Sequence, residues 1–224
     1  MTGLLIALPI AGAAIYLIHR RRQRQRRLAY IEAYRFPDGV IRRFRARRPG
    51  LTEAQTELVE VALRDYFALC LRAGPRRMVA MPSQVVDDLW HEFILFTRIY
   101  QGFCRRALGR FLHHTPAEAM PSPTRAQDGI RRTWRIACAR EGITPRAPDR
   151  LPLLFAIDAQ LAVADGFIYR LDCSGSALRD GGAPYCASDI GCTSGCAGDS
   201  GAGSDSSGDG GGDGGCSGGG CGGD

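Results

Sequence analysis

The chain has 224 residues and a formal net charge of +6 at pH 7, and all 29 of its basic residues are arginine. The positive charge is confined to one segment, because residues 19–48 carry a net +10, residues 49–172 a net +2 and residues 173–224 a net −6. This distribution argues against a protein that binds nucleic acid over its whole surface. The nine cysteines, an odd number, argue against a complete disulfide framework.

The chain begins with an apolar run, residues 3–18, that contains no charged side chain. As a helix this run would extend about 24 Å, slightly less than the hydrocarbon core of roughly 30 Å. Arginine side chains at its end can reach the lipid phosphates, so we predict a transmembrane anchor at residues 1–19. A cleaved signal peptide is the alternative, but the positively charged region that precedes such a peptide's apolar core is missing.

Six arginines follow the apolar run at once, and none precedes it. The positive-inside rule then predicts a single-pass protein of the cell (inner) membrane, with the N-terminus outside and the C-terminal domain in the cytoplasm. We expect the arginines to lie on the membrane surface and to attract anionic lipid headgroups. An arginine cluster also suits nucleic acid, but the adjacent apolar run makes the lipid bilayer the simpler partner. The six residues are Arg20, Arg21, Arg22, Arg24, Arg26 and Arg27.

The sequence predicts a mainly α fold, with a basic juxtamembrane linker at residues 20–48 and a compact bundle of about four helices at residues 49–172. The first helix begins at Thr52, where Gln55 completes a capping-box pattern. The second begins after Ser83 and continues to residue 109. The other two are predicted at 124–142 and 151–164, and little alternation at period 2 argues against a substantial sheet.

The second predicted helix carries a long apolar stripe with spacings of four and three residues. At 100° per residue these side chains stay close to one line, so we expect them to form its buried face. They are Val86, Trp90, Phe93, Thr97, Tyr100 and Cys104.

Asp87 and His91 are four residues apart, so they share one face of this helix. A histidine pair, His113 and His114, follows in a loop. Carboxylate and imidazole groups are ligands of zinc and other divalent metals, so these four residues are the candidate metal site. Alternatively, Asp87 orients the His91 ring, or His91 packs against the next loop while Asp87 bonds to Arg98 or a backbone amide.

Familiar catalytic motifs are missing from the sequence. His91 and Glu92 begin an H-E-x-x-H pattern, but Leu95 stands where the second histidine would be, so the chain is no zincin. There is no G-x-S-x-G, P-loop or dinucleotide fingerprint. Catalytic residues are therefore unknown at this stage.

Residues 81–116 resemble the glycine-rich domain-containing protein family, whose pattern is Asp-x-x-Trp-His followed by Tyr, Cys and His. The matching residues are Asp87, Trp90, His91, Tyr100, Cys104 and His113. The resemblance covers residues 50–165 and implies a shared fold, with Trp90, Tyr100 and Cys104 in the core of the motif. Plant members have a second histidine where this chain has Phe93, so a metal site built on both histidines does not carry over.

Residues 173–224 are predicted to form a disordered Gly/Cys/Asp-rich tail, because 19 of these 52 residues are glycine and apolar residues are sparse. In the cytosol its cysteines should stay reduced. The tail is interpreted as an inert extension, as a thiolate site for a soft metal, or as an arm repelled from an anionic membrane. The thiols considered are Cys186, Cys192, Cys196, Cys216 and Cys221.

Two classes of function follow from these patterns. The first is a membrane-anchored, cytoplasm-facing helical binding or scaffold protein with an unknown protein partner, rather than an enzyme. The second is a metal-binding protein or metal-dependent enzyme that uses Asp87, His91 and His113, or binding of a soft metal by the tail cysteines.

Overall fold

The computed structural model describes residues 2–114, 123–171, 185–187 and 190, all within one compact unit bounded by Met1 and Ser194. The described residues are mainly α-helical, which confirms the predicted class of secondary structure. Within residues 49–172, where about four helices were predicted, the described residues form five; two more helices precede them, and a two-stranded sheet is also present. The helices are α1 (Thr2–Glu32), α2 (Asp38–Arg47), α3 (Glu53–Ala73), α4 (Gln84–Leu95), α5 (Thr97–Ala107), α6 (Pro123–Glu141) and α7 (Leu153–Gln160).

The first helix does not support the predicted membrane anchor at residues 1–19. Across the part of the chain that the structure describes, no helix is both long enough and apolar enough to cross a membrane. The apolar run has sixteen residues, whereas a spanning helix needs about 20, and it continues without a break into the arginine-rich half of α1. The predictions of a single-pass inner-membrane protein and of its orientation are therefore wrong.

Residues 20–48, predicted to be a juxtamembrane linker, contribute to the core. Ile31 near the end of α1 is fully buried, and α2 buries Val40 and Phe44. The ring of Tyr34, between the two helices, lies 4.5 Å from that of Phe103 in α5, measured between centroids. The two buried residues of α2 are four positions apart, so they share one face and α2 is an amphipathic helix. Its many arginines made this apolar face hard to recognise in the sequence.

The predicted helix from Ser83 to residue 109 is two helices, α4 and α5, that meet at Phe96. Phe96 has non-helical backbone angles, φ −84° and ψ 59°, so the regular 100° spacing that defines the single apolar stripe is interrupted there. Thr97 is exposed for this reason, whereas the other members of the stripe are buried. The predicted caps are confirmed, because Thr52 and Gln55 form a capping box at α3 and the Ser83 hydroxyl accepts from the Val86 amide at α4.

The helix α3 is central, since α1, α4, α6 and α7 all contact it. On one side, α6 and α7 pack through Trp134 and Phe155, whose rings meet edge to face with centroids 5.1 Å apart. The α7 helix ends at Gln160, short of the predicted residue 164.

The ordered part of the chain extends beyond residue 172. Strand β1 (Tyr169–Arg170) pairs in parallel with β2 (Tyr185–Cys186), and Tyr169 is opposite Tyr185. Ala187 and Ile190 are buried in the core. The prediction of a disordered tail is therefore wrong for these residues, because a few apolar side chains in a polar segment find a place in the core. The other residues of the predicted tail lie outside the described residues.

Candidate metal centre

The N-terminus of α4 is held by a buried carboxylate from α7. Asp158, 2% exposed, accepts hydrogen bonds from the Ser83 hydroxyl at 2.6 Å and from the backbone amides of Gln84 and Val85 at 2.7 and 3.2 Å. A negative charge is favourable at a helix N-terminus, where the amides have no partner within the helix. This contact fixes the start of α4 and hence the position of Asp87 in its first turn.

Three polar side chains converge beside α4. One carboxylate oxygen of Asp87 lies 3.0 Å from Nε2 of His114, and the other lies 3.4 Å from Nδ1 of His91. The two imidazole rings are 4.3 Å apart between centroids. One ligand atom from each residue lies within 4.8 Å of the other two, so these side chains can hold a metal ion. They form the only such cluster of three within the described segments.

One atom of this cluster lacks a partner. Nδ1 of His91 is buried and makes no hydrogen bond, although the side chain as a whole is 41% exposed. Its 3.4 Å separation from Asp87 does not have hydrogen-bond geometry. Buried polar atoms are nearly always satisfied, and leaving one unpaired costs free energy. The atom is thus placed where a metal ion would satisfy it.

A buried network positions the loop that carries His114. The indole N–H of Trp90 donates to the Tyr100 hydroxyl at 3.2 Å, which in turn donates to the Leu112 carbonyl at 2.6 Å. The Trp90 ring also meets His114 edge to face, with centroids 4.7 Å apart. Burial raises the pKa of Tyr100 well above its usual value, so the hydroxyl stays a donor.

Of the two adjacent histidines, His114 completes the cluster and His113 does not. The His113 ring packs instead against Phe111, with centroids 4.8 Å apart. The sequence named both histidines as site candidates and combined His113 with Asp87 and His91 in its functional hypothesis, whereas the structure brings His114 to these two residues. Residues in a loop have no periodicity that tells which side chain faces the helix.

A cavity of about 340 Å³ adjoins the cluster, and His114 is among its lining residues. Aromatic rings of Tyr66 and Trp90 form part of its wall. Three arginines from two loops also line it, and no acidic side chain of the described residues does. These arginines are Arg76, Arg77 and Arg110.

Residues 26–190 match the UCP032817-like family, which is more than half of the chain. The chain belongs to the UCP032817-like family. This match replaces the resemblance to the glycine-rich domain-containing protein family, which is wrong. No curated protein and no solved structure matches the chain.

The segment shared with the UCP032817-like family contains an ionic cluster that sequence reasoning missed. Asp88, fully buried, bonds to Arg48 Nε at 2.6 Å and lies 3.0 Å from Arg47. One turn later, Glu92 accepts from Arg43 Nε at 2.6 Å. These acids face α2, so they attach that helix to α4. The spacing of four residues between Asp88 and Glu92 places both acids on one face of α4, and this was the sequence signal for the cluster.

The arginines predicted to lie on a membrane surface include two that bond to the folded unit. Arg24 donates to the Arg72 carbonyl at 2.5 Å, and Arg27 donates to the Leu108 carbonyl at 3.1 Å. Both carbonyls lie at helix C-termini, where a cation is favourable. Arg20, Arg21, Arg22 and Arg26 are exposed.

The cysteines that the structure describes do not add a thiolate to the site. Cys70, Cys104 and Cys138 are free and buried, and burial raises the pKa of Cys70 to about 12. Cys186 is disulfide-bonded, in contrast to the expectation of a reduced thiol. The other thiols considered lie outside the described residues; they are Cys192, Cys196, Cys216 and Cys221.

Proposed function

We propose that this protein binds a divalent metal ion through Asp87, His91 and His114. The convergence of a carboxylate and two imidazoles within 4.8 Å carries the proposal. The unpaired, buried Nδ1 of His91 supports it, because a metal ion would supply the missing partner.

The separations suit a small cation such as zinc. Two ligand atoms that each lie about 2.0–2.2 Å from a tetrahedral zinc ion are about 3.4 Å apart. The contact of one Asp87 oxygen with His114, 3.0 Å, and that of the other oxygen with His91, 3.4 Å, are close to that separation. Metal binding would remove a proton from any imidazole nitrogen that becomes a ligand. The same donor set also suits iron(II), so the bound metal must be identified by measurement.

Three protein ligands leave a coordination position for water or substrate. Structural zinc sites have four protein ligands, whereas catalytic ones have three and an open position. A metal ion with such an open position lowers the pKa of a water molecule bound there, or polarises a carbonyl or phosphoryl oxygen that binds there. The arrangement therefore favours a metal-dependent enzyme or a metal-handling protein over a scaffold in which His91 is only structural.

The proposal is tested by the metal content of the full-length protein after loading with zinc and removal of unbound metal. We expect His91→Ala and His114→Ala to bind zinc at least about tenfold more weakly than wild type, since each removes a ligand. His113→Ala is the matched control, because it removes a neighbouring imidazole that is outside the cluster. Zinc affinity should also fall as the pH is lowered, since protons compete for the imidazoles.

Two results would contradict the proposal. If the wild type retains no zinc or iron, Asp87 serves only to orient the two histidines. If zinc is bound but survives both His91→Ala and His114→Ala, the metal is held elsewhere, and the tail thiols become the candidate ligands.

A further inference from the structure

The cavity beside His114 is positively charged. Arg76 and Arg77 make no hydrogen bond or ion pair with any residue that the structure describes. Arg110 is half-buried, and its one hydrogen bond, to the Gly74 carbonyl, is long at 3.5 Å. Arg48, by contrast, pairs with the carboxylates of Asp88 and Asp165, whereas no described acidic side chain is among the residues that line this cavity.

Arg110 lines this cavity together with Cys70. Burial raises the pKa of the Cys70 thiol, and the charge of Arg110 opposes that rise. A cation in partly desolvated surroundings without an anionic partner is well placed to bind an anion from solution.

The cavity and the metal cluster share a side chain. His114 contributes its Nε2 to the cluster and also lines the cavity. Trp90, whose ring contacts His114, lines the cavity as well. A volume of about 340 Å³ is at the lower end of the range for small-molecule sites.

We propose that this cavity binds a small molecule with an oxyanion group, either a carboxylate or a phosphate, whose charge pairs with Arg110 and Arg77 beside the metal. This inference rests on the proposed function, because it makes the oxyanion compound the substrate or ligand of the metal centre. Arginine is suited to either group, since its planar guanidinium donates two parallel hydrogen bonds to a carboxylate or a phosphate.

The test uses the full-length protein, loaded with zinc, freed of unbound metal and titrated by calorimetry with inorganic phosphate and, separately, with malonate at constant ionic strength. We expect one of the two anions to bind, and the anion that binds more tightly identifies the ligand class. Arg110→Gln and Arg77→Gln should each weaken that binding by about tenfold or more, since each removes a charge-assisted hydrogen bond. Arg77 is exposed and unpaired among the described residues, so its replacement should not disturb folding.

Arg98→Gln is the matched control, because Arg98 is an exposed arginine of α5 that does not line the cavity. Zinc content is measured in the same samples. Bound zinc without binding of either anion would overturn this inference and leave the metal site intact. An equal loss of affinity in Arg98→Gln would also overturn it, since the binding would then reflect net charge alone. Absence of zinc from the wild type would contradict the proposed function, and this inference with it.

Discussion

Asp87 and Asp88 are neighbours in the sequence but make different contacts. Successive residues of a helix point about 100° apart. Asp87 therefore faces the two histidines, while Asp88 faces Arg47 at the end of α2 and Arg48 directly after it. The first relation follows from the spacing of Asp87 and His91, and the sequence predicted it. The second depends on α2, which the sequence presented as a linker. Which histidine of the adjacent pair joins Asp87 is likewise decided by packing of the loop against Trp90.

Tyr100 is expected to act as a positioning residue for the metal centre. Tyr100→Phe leaves the Trp90 N–H and the Leu112 carbonyl without their partner, which costs about 1–3 kcal/mol of stability. Because Leu112 precedes the histidine pair, zinc affinity should also fall, and zinc binding to the folded variant is the measurement. Tyr30→Phe is the control, since the described residues offer its hydroxyl no hydrogen bond. Unchanged zinc affinity in Tyr100→Phe would contradict the positioning role.

At the scale of elements, arginines join the helices. Arg24 and Arg27 of α1 bond to the C-termini of α3 and α5, while Arg43 and Arg48 join α2 to the acids of α4. Arg48 continues to Asp165, beyond α7, with contacts of 2.6 and 2.8 Å. Several arginines of this arginine-rich chain therefore stabilise the fold, because buried carboxylates and helix ends need cationic partners.

Replacing Arg48 should be more costly than replacing its exposed partner. Arg48→Gln leaves the buried Asp88 with only Arg47 and Gln84, so we expect a loss of about 2 kcal/mol, measured by urea unfolding. Asp165→Asn, the control, should cost at most about 1 kcal/mol, since that side chain is 58% exposed. Equal losses in the two variants would show that the buried acid is not the important partner.

The Asp165 pair also has a defined pH dependence. The hydrogen bonds from Arg48 lower the pKa of Asp165. A carboxylate with a lowered pKa in the folded state stabilises the fold above its unfolded pKa and loses that effect as the pH falls through the folded pKa. The stabilities of wild type and Asp165→Asn should therefore differ at neutral pH and converge in acid.

At the scale of the whole molecule, the folded unit and the match to the UCP032817-like family end within a few residues of each other, at residues 194 and 190. The family match begins at residue 26, within α1, and ends at residue 190, where Ile190 is buried. The folded unit therefore includes a segment after residue 172 that composition assigned to a tail. Its attachment depends on the pairing of β2 with β1 and on the burial of Ala187 and Ile190.

Truncation tests this limit. A chain that ends at residue 172 should be less stable than one that ends at residue 191, by about 2–3 kcal/mol, because it lacks the buried Ile190 side chain and the β2 strand. Urea unfolding of both chains under reducing conditions makes the comparison independent of the Cys186 disulfide. The full-length chain is the control and should match the longer truncation. Equal stability of the two truncated chains would show that residues 173–191 add nothing to the fold.

The sequence by itself determined the features that depend on local periodicity and local hydrogen bonds. These are the helical class, the caps at Thr52 and Ser83, and the shared face of Asp87 and His91. Only the tertiary structure decided which distant groups meet: His114 with Asp87, Arg48 with Asp88, and Ile190 with the core. It also decided the break at Phe96 and the continuation of α1 through its arginines. The physical reason is that elements far away in the chain decide whether a side chain is buried. They also decide which oppositely charged or polar group lies beside it.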